Sequence, residues 1–240
     1  MLRLAVYHSL RICCGIAIIV SAAIANEALE NQEVSPPYPL DKIVIPFPIL
    51  ARHLVTGYAE VLYEVGADGI PRDFVVLRET HPAFSKAIIN SVKKSLYQPA
   101  IIQGRSVASQ ITFKNRFRLE GGAAEWKVNA QSPLEMPIEG KVPLLVYPPH
   151  TLDEPLEAIE SVMPQYPPEL LDKRIMGGVL LEYYIDKKGN VRAPRALSAS
   201  AEAFTDAAIQ AMRQWKFHPP KKGGRSVCVI ARQQVKFGDY

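Results

Sequence analysis

Chemistry would most readily start from histidine, the commonest metal ligand and the side chain that titrates nearest neutral pH. The chain has five, at positions 8, 53, 81, 150 and 218. No two have helical or finger spacing and none adjoins a cysteine, so a tetrahedral metal site has no scaffold here. Cys13 and Cys14 open an apolar run, and Cys228 lies in VCVIA, where it reads as a small strand residue. There is no Gly-x-Ser-x-Gly nucleophile motif and no phosphate-cradling loop. The glycine pairs at 121–122, 177–178 and 223–224 read as turns. Lys221, Lys222 and Arg225 read as solvated loop charge, and Glu169, Glu182 and Asp186 as two solvated acids and a turn former. The expectation is a protein that is not an enzyme, with no catalytic residue, metal or cofactor. A formal charge of +4 over 240 residues is too weak to imply nucleic acid as a partner.

Residues 1–25 carry Arg3 and Arg11, no acid, and the apolar run Ile12 to Ala25 ending Ala23-Ile24-Ala25. That is the pattern of a signal peptide, and the 14-residue run is shorter than the roughly 20 a spanning helix needs. A cleaved leader and a short retained anchor both remain open, and both deliver the following residues out of the cytoplasm. Cleavage would lower the charge from +4 to +2 and leave Cys228 as the lone cysteine.

The remainder repeats itself. Gly57 to Phe117 lies on Gly177 to Phe237 without a gap at a constant offset of 120, with identities that include Tyr63/Tyr183, Gly69/Gly189, Phe84/Phe204, Pro99/Pro219 and Gly104/Gly224. A repeat of this kind fixes the architecture before any motif is read. Each copy alternates apolar residues (Ala59, Val61, Tyr63, Val65; Val179, Leu181, Tyr183, Ile185), with Glu60, Glu64 and Glu182 on the other face. This predicts a strand with one core face and one solvated face, turning at Gly69 or Gly189 into a hairpin. Thr80 and Ser200 stand where helix N-caps are expected, ahead of an apolar stripe that in the second copy is Phe204, Ala208, Ala211 and Trp215. Trp215, Phe217 and Pro219 then make a core-anchored corner, and Gly223-Gly224 turn the chain into a last strand. That strand sets Val227, Val229, Val235 and Phe237 against Arg232, Gln234 and Lys236. A short helix is expected before each copy, at Pro46 and Gln165, and Leu144–Tyr147 of the connector could add a short strand.

The second copy resembles the TonB C-terminal domain family. The likeness is carried by Tyr166-Pro167, Gly177, the strand ending Ile185-Asp186, Gly189, Phe204 with Ala207-Ala208, Trp215-Lys216-Phe217, Pro219, Gly224 and Val227. It covers about 72 residues, and a fainter version covers the first copy, where Ser95 replaces the Trp and Gly66 the Asp. The resemblance implies an α+β fold: two tandem domains, each of two helices on a three-stranded antiparallel sheet. The division expected is a signal peptide or short anchor at 1–25, an extended segment at 26–45, a degenerate copy at 46–118, a Pro/Gly-containing linker at 119–164 and a clear copy at 165–240. It also implies a periplasmic place and protein partners in the cell envelope, outer-membrane transporters or an inner-membrane motor complex, and it allows a homodimer. Binding would be by strand addition, in which backbone hydrogen bonds give affinity and alternate side chains give selectivity. The edge would be Val227, Val229, Ile230, Arg232, Gln233, Gln234, Lys236 and Phe237. The chain lacks the long Lys-Pro or Glu-Pro spacer of an energy transducer, and residues 26–45 reach at most roughly 70 Å fully extended. An exported adaptor without energy input is therefore the competing expectation.

Overall fold

The computed structural model describes residues 34–54, 56–119 and 142–238, together with the backbone of 16–19. The expected leader otherwise lies outside the described residues, as do 120–141 of the connector. Ile16–Ile19 forms strand β1. The first copy then runs β2 (Val34–Ser35), β3 (Tyr38–Pro39), a 3₁₀ turn at Ile49–Ala51, β4 (Thr56–Val65), β5 (Pro71–Glu79) and helix α1 (Pro82–Val92). It closes with β6 (Tyr97–Gln98), β7 (Ala100–Ile102), β8 (Arg105–Val107) and β9 (Ser109–Arg118). The connector contributes β10 (Val146–Tyr147), the strand foreseen in the sequence, and β11 (Ala158–Glu160). The second copy repeats the plan with α2 (Pro168–Leu171), β12 (Gly177–Ile185), β13 (Val191–Ala199), α3 (Glu202–Met212), β14 (Lys216–Phe217), β15 (Lys221–Lys222), β16 (Arg225–Ser226) and β17 (Cys228–Phe237).

Each main sheet is antiparallel with the first strand in the middle: β9-β4-β5 and β17-β12-β13. Added strands lie at the outer edges, β1 antiparallel on Gln110–Phe113 and β10 parallel on Cys228 and Val229. The copies also begin earlier than the repeat suggests, since β3 pairs with β6 and β11 pairs with β14. Those pairings place parts of the expected extended segment and linker on the domains themselves.

The shared residues have shared mechanical reasons. Phe84 stacks near Phe117 at 4.6 Å and Phe204 on Phe237 at 4.3 Å between ring centroids. Each ring covers a glycine: a Cβ on Gly57 would come within 2.1 Å of Phe84, and one on Gly177 within 2.6 Å of the Phe204 ring. Phe47 and Tyr166 close the two clusters edge-on at 5.6 Å. At the hairpins Gly69 and Gly189 have φ of +75° and +85°, and a Cβ would strike the carbonyl oxygen of Tyr97 or Phe217. That close approach lets Tyr97 N–H and Phe217 N–H donate to the Gly69 and Gly189 carbonyls at 3.1 and 2.8 Å.

Two local expectations are corrected. Thr80 and Ser200 do not cap the helices: His81 Nδ1 accepts from Ala83 N–H at the start of α1, and Ala201 offers α3 no side-chain cap. Instead Thr80 Oγ1 and Ser200 Oγ accept the N–H groups of Tyr58 and Gly178, at 3.0 and 2.7 Å, and lock the sheet. The second correction concerns the face read as solvated. Glu64 is 5% exposed and Glu182 3%, because the sheets pack against each other with α1 and α3 on the outer faces. Leu62 and Val75 of one copy meet Tyr184, Ala193 and Cys228 of the other, and Val146 of the connector joins them. The period-2 reading found the helix-facing core and missed that the second face has a partner in the same chain.

Candidate partner-binding edge

The edge expected at Val227 to Phe237 divides into parts with different surroundings. Val227 is outside the strand, its N–H donating to the Pro220 carbonyl at 2.9 Å. Cys228 and Val229 are buried and their outer side is taken by Val146 and Tyr147. Burial pushes the Cys228 thiol up to about 12, so it holds little thiolate and packs as a small apolar group. Ile230 packs at the contact between the copies, whereas Arg232, Gln233, Gln234 and Lys236 are exposed and Phe237 is in the core. Among the described residues no strand pairs with the outer side of Arg232 to Val235.

Which backbone groups face outward follows from Gly178. Its N–H donates to Ser200 Oγ and its carbonyl accepts from Ser200 N–H at 3.1 Å, so both point towards β13. Gly178 is opposite Lys236, and the β12–β17 register runs unbroken from Gly177↔Phe237 to Ile185↔Val229. Antiparallel residues alternate between bonding the partner and facing away. Ile230, Arg232 and Gln234 therefore present their N–H and C=O groups outward, and Gln233 bonds inward to β12. The Gln234 carbonyl indeed accepts from the Gln233 side chain at 3.1 Å.

The outward rung is held by a buried charge that the sequence reading took as solvated. Glu182 accepts from Arg195 Nη2 at 2.5 Å and from Arg232 Nε at 3.0 Å. Burial pushes its carboxyl up, and the hydrogen bonds and charges of the two arginines outweigh it, leaving it below the ordinary range. Asp186 is the turn former expected, accepting from the N–H groups of Lys188 and Asn190 at 2.9 and 3.0 Å.

Sequence reasoning missed a groove of about 500 Å³ at the end of β17, lined by Met163, Pro164, Tyr166, Gln234, Lys236 and Phe237. The signal for it was Tyr166-Pro167: the Tyr166 ring meets Phe237 edge-on at 5.7 Å, its hydroxyl donates to the Ile175 carbonyl, and Pro167 is the residue before the first turn of α2. Trp215, expected as a buried anchor, is half-buried, with Nε1 donating to the Val162 carbonyl at 2.9 Å, whereas Phe217 is buried and Pro219 exposed. Gly224 shares the two-residue hairpin turn with Gly223, and their N–H groups both donate to the Asp153 carboxylate at 2.8 Å. The basic corner thus has an acid of its own chain against it. His53 and His81, distant in sequence, have ring centroids 5.9 Å apart.

The family model described as Gram-negative bacterial TonB protein C-terminal matches residues 45–119 and 162–238, more than half of the chain. The chain belongs to this family. It carries two tandem TonB C-terminal domains. Protein TonB of Vibrio cholerae is 36% identical over 72 residues, 30% of this chain and 30% of that protein. The solution NMR structure of the Pseudomonas aeruginosa TonB CTD is 22% identical, covers 37% of this chain and 92% of that chain, and superposes with a TM-score of 0.30. The chain thus shares with its full-length TonB relative less than a third of that protein's length. Among the described residues no helix is long and apolar enough to cross a membrane.

Proposed function

We propose that this protein is a TonB-like component of the periplasm whose second domain accepts an extended segment of an envelope protein by strand addition along Ile230–Phe237. Outer-membrane transporters are the partner class, reached through the family. The observation carrying the reading is the pair of outward residues Arg232 and Gln234, with no described strand beside them. A strand added there continues a ladder that no proline interrupts. Its side chains would meet Arg232 along the strand and, at the Phe237 end, the groove lined by Met163, Tyr166 and Gln234.

The register makes the test sharper than sequence alone allows. Gln234→Pro removes an outward donor and should abolish binding of synthetic transporter segments, read by fluorescence anisotropy, in a protein whose fold is intact by circular dichroism. Gln233→Pro removes an inward donor and should damage the β12–β17 ladder itself. Undiminished binding by folded Gln234→Pro protein defeats strand addition, and the surface beside Lys221 and Lys222 then becomes the site to test. A second reading, an exported adaptor that holds partners without energy input, is favoured by the packing of the two copies against each other. Finding mature protein that starts at Asn26 would support it.

A further inference from the structure

We infer that the first copy serves the second as a dedicated partner within the chain, and that Glu64, Asp73 and Gln110 make the pairing selective for the unlike copy. β5 packs against β13, its equivalent in the repeat, and the equivalent positions Asp73 and Ala193 meet directly. Both have left-handed backbone, with φ of 55° and 46°, at bulges in the same place in each sheet. Like positions touching is the mark of a local two-fold relation, the geometry a homodimer would use.

The side chains break that symmetry. Ala193 is fully buried, and both of its backbone groups are satisfied by the other copy: its N–H donates to Asp73 Oδ2 at 3.3 Å, and its carbonyl accepts from Gln110 Nε2 at 2.7 Å. Arg213, at the end of α3, donates to Asp73 Oδ2 at 2.6 Å and to both oxygens of Glu64 at 2.6 and 2.7 Å. Arg192 adds a contact to Asp73 at 3.7 Å.

The repeat offset of 120 supplies the counterfactual. Glu64 corresponds to Tyr184, Asp73 to Ala193, Gln110 to Ile230 and Arg213 to Lys93. Two second copies joined in this way would bury the Ala193 groups against alanine and isoleucine and bring Arg213 to a tyrosine, leaving polar groups without partners. Two first copies would press Asp73 on Asp73, with the single ammonium of Lys93 in place of the Arg213 fork that holds Asp73 and Glu64 together. The mixed pair satisfies both Ala193 backbone groups and sets the acids Glu64 and Asp73 against an arginine, so selectivity comes as much from what the like pairs leave unpaired or opposed as from what the unlike pair gains. A face that could have joined two chains is therefore assigned to a neighbour on the same chain.

The experiment gives the first copy the second copy's residues, which the fold accommodates at those positions. In the full chain, Asp73→Ala with Gln110→Ile should make the Ala193 amide exchange with deuterium at least about tenfold faster, as loss of its buried acceptor implies. It should also split urea unfolding into two transitions, with the central β12 amides keeping their protection until the second. Asp73→Asn keeps an oxygen for Ala193 and loses the charge that faces Arg213, so the amide should stay protected. Unchanged Ala193 exchange and one transition in the double variant would overturn the inference. So would concentration-dependent dimerisation of the wild-type chain that Asp73→Ala with Gln110→Ile abolishes, since the face would then join two chains.

Discussion

The two copies present the same edge strand in opposite condition. In the first, Gln110-Ile111-Thr112-Phe113 is paired along its outer side by Ile16–Ile19, and Thr112 and Phe113 are buried. In the second, the corresponding Ile230-Ala231-Arg232-Gln233 has its charged and amide side chains exposed, and the added strand stops at Val229. An aromatic residue on an edge is suited to being covered, and an arginine and a glutamine are suited to water. The same division runs through the contact between copies, where the first supplies the acids Glu64 and Asp73 and the second the arginines Arg192 and Arg213. One architecture thus carries two different edges because the residues that set the fold, the glycines and the phenylalanines over them, are not the residues that set the surfaces.

If the cores are equivalent, Phe84→Ala and Phe204→Ala should each destabilise by about 3–5 kcal/mol in chemical denaturation. A large difference between them would mean that one copy depends on the other for its packing. Trp215→Ala should cost less, about 2 kcal/mol, because the indole is half-exposed; its counterpart Ser95 shows that the fold can do without the ring. Arg213→Ala should cost about 1–2 kcal/mol by leaving Glu64 without its bidentate partner. Lys93→Ala, the same position in the first copy, should change stability by only about 0.5 kcal/mol, since its ammonium lies over the Phe74 ring at 5.4 Å. The smallest effect is a pH dependence. Glu182 has a depressed carboxyl, so its stabilisation is complete above the ordinary glutamate range and is lost as pH falls through the lower folded value. Glu182→Gln should flatten the acid limb of the stability profile, whereas Leu62→Ile at the corresponding position should leave its slope alone.

The helix-facing half of each sheet was legible because Ala59 to Val65 and Val179 to Ile185 alternate, and the hairpin glycines because left-handed turns call for them. The opposite face was misread through its acids. Leu62 beside Glu64, and Tyr184 beside Glu182, already placed bulk on both faces, but nothing local says that Arg213 will reach Glu64 from 149 residues away. Thr80 and Ser200 looked like caps because a hydroxyl before a helix satisfies an orphan N–H; here the N–H that needed an acceptor was on the neighbouring strand. The edge was legible as a strand, and its parity was not, since the direction of each backbone group depends on the Gly178–Ser200 pairing.

That parity has a mechanical consequence. β17 is joined to β12 over nine consecutive residue pairs without a bulge, from Gly177↔Phe237 to Ile185↔Val229. A load applied along the axis of a strand added beside it would be borne by the whole ladder in shear, with many hydrogen bonds resisting at once. The same load applied across the sheet would peel the bonds one after another. The second sheet behind it and the short strand at Val229 resist bending of that ladder, so the edge is stiff along the direction in which an extended partner would be drawn.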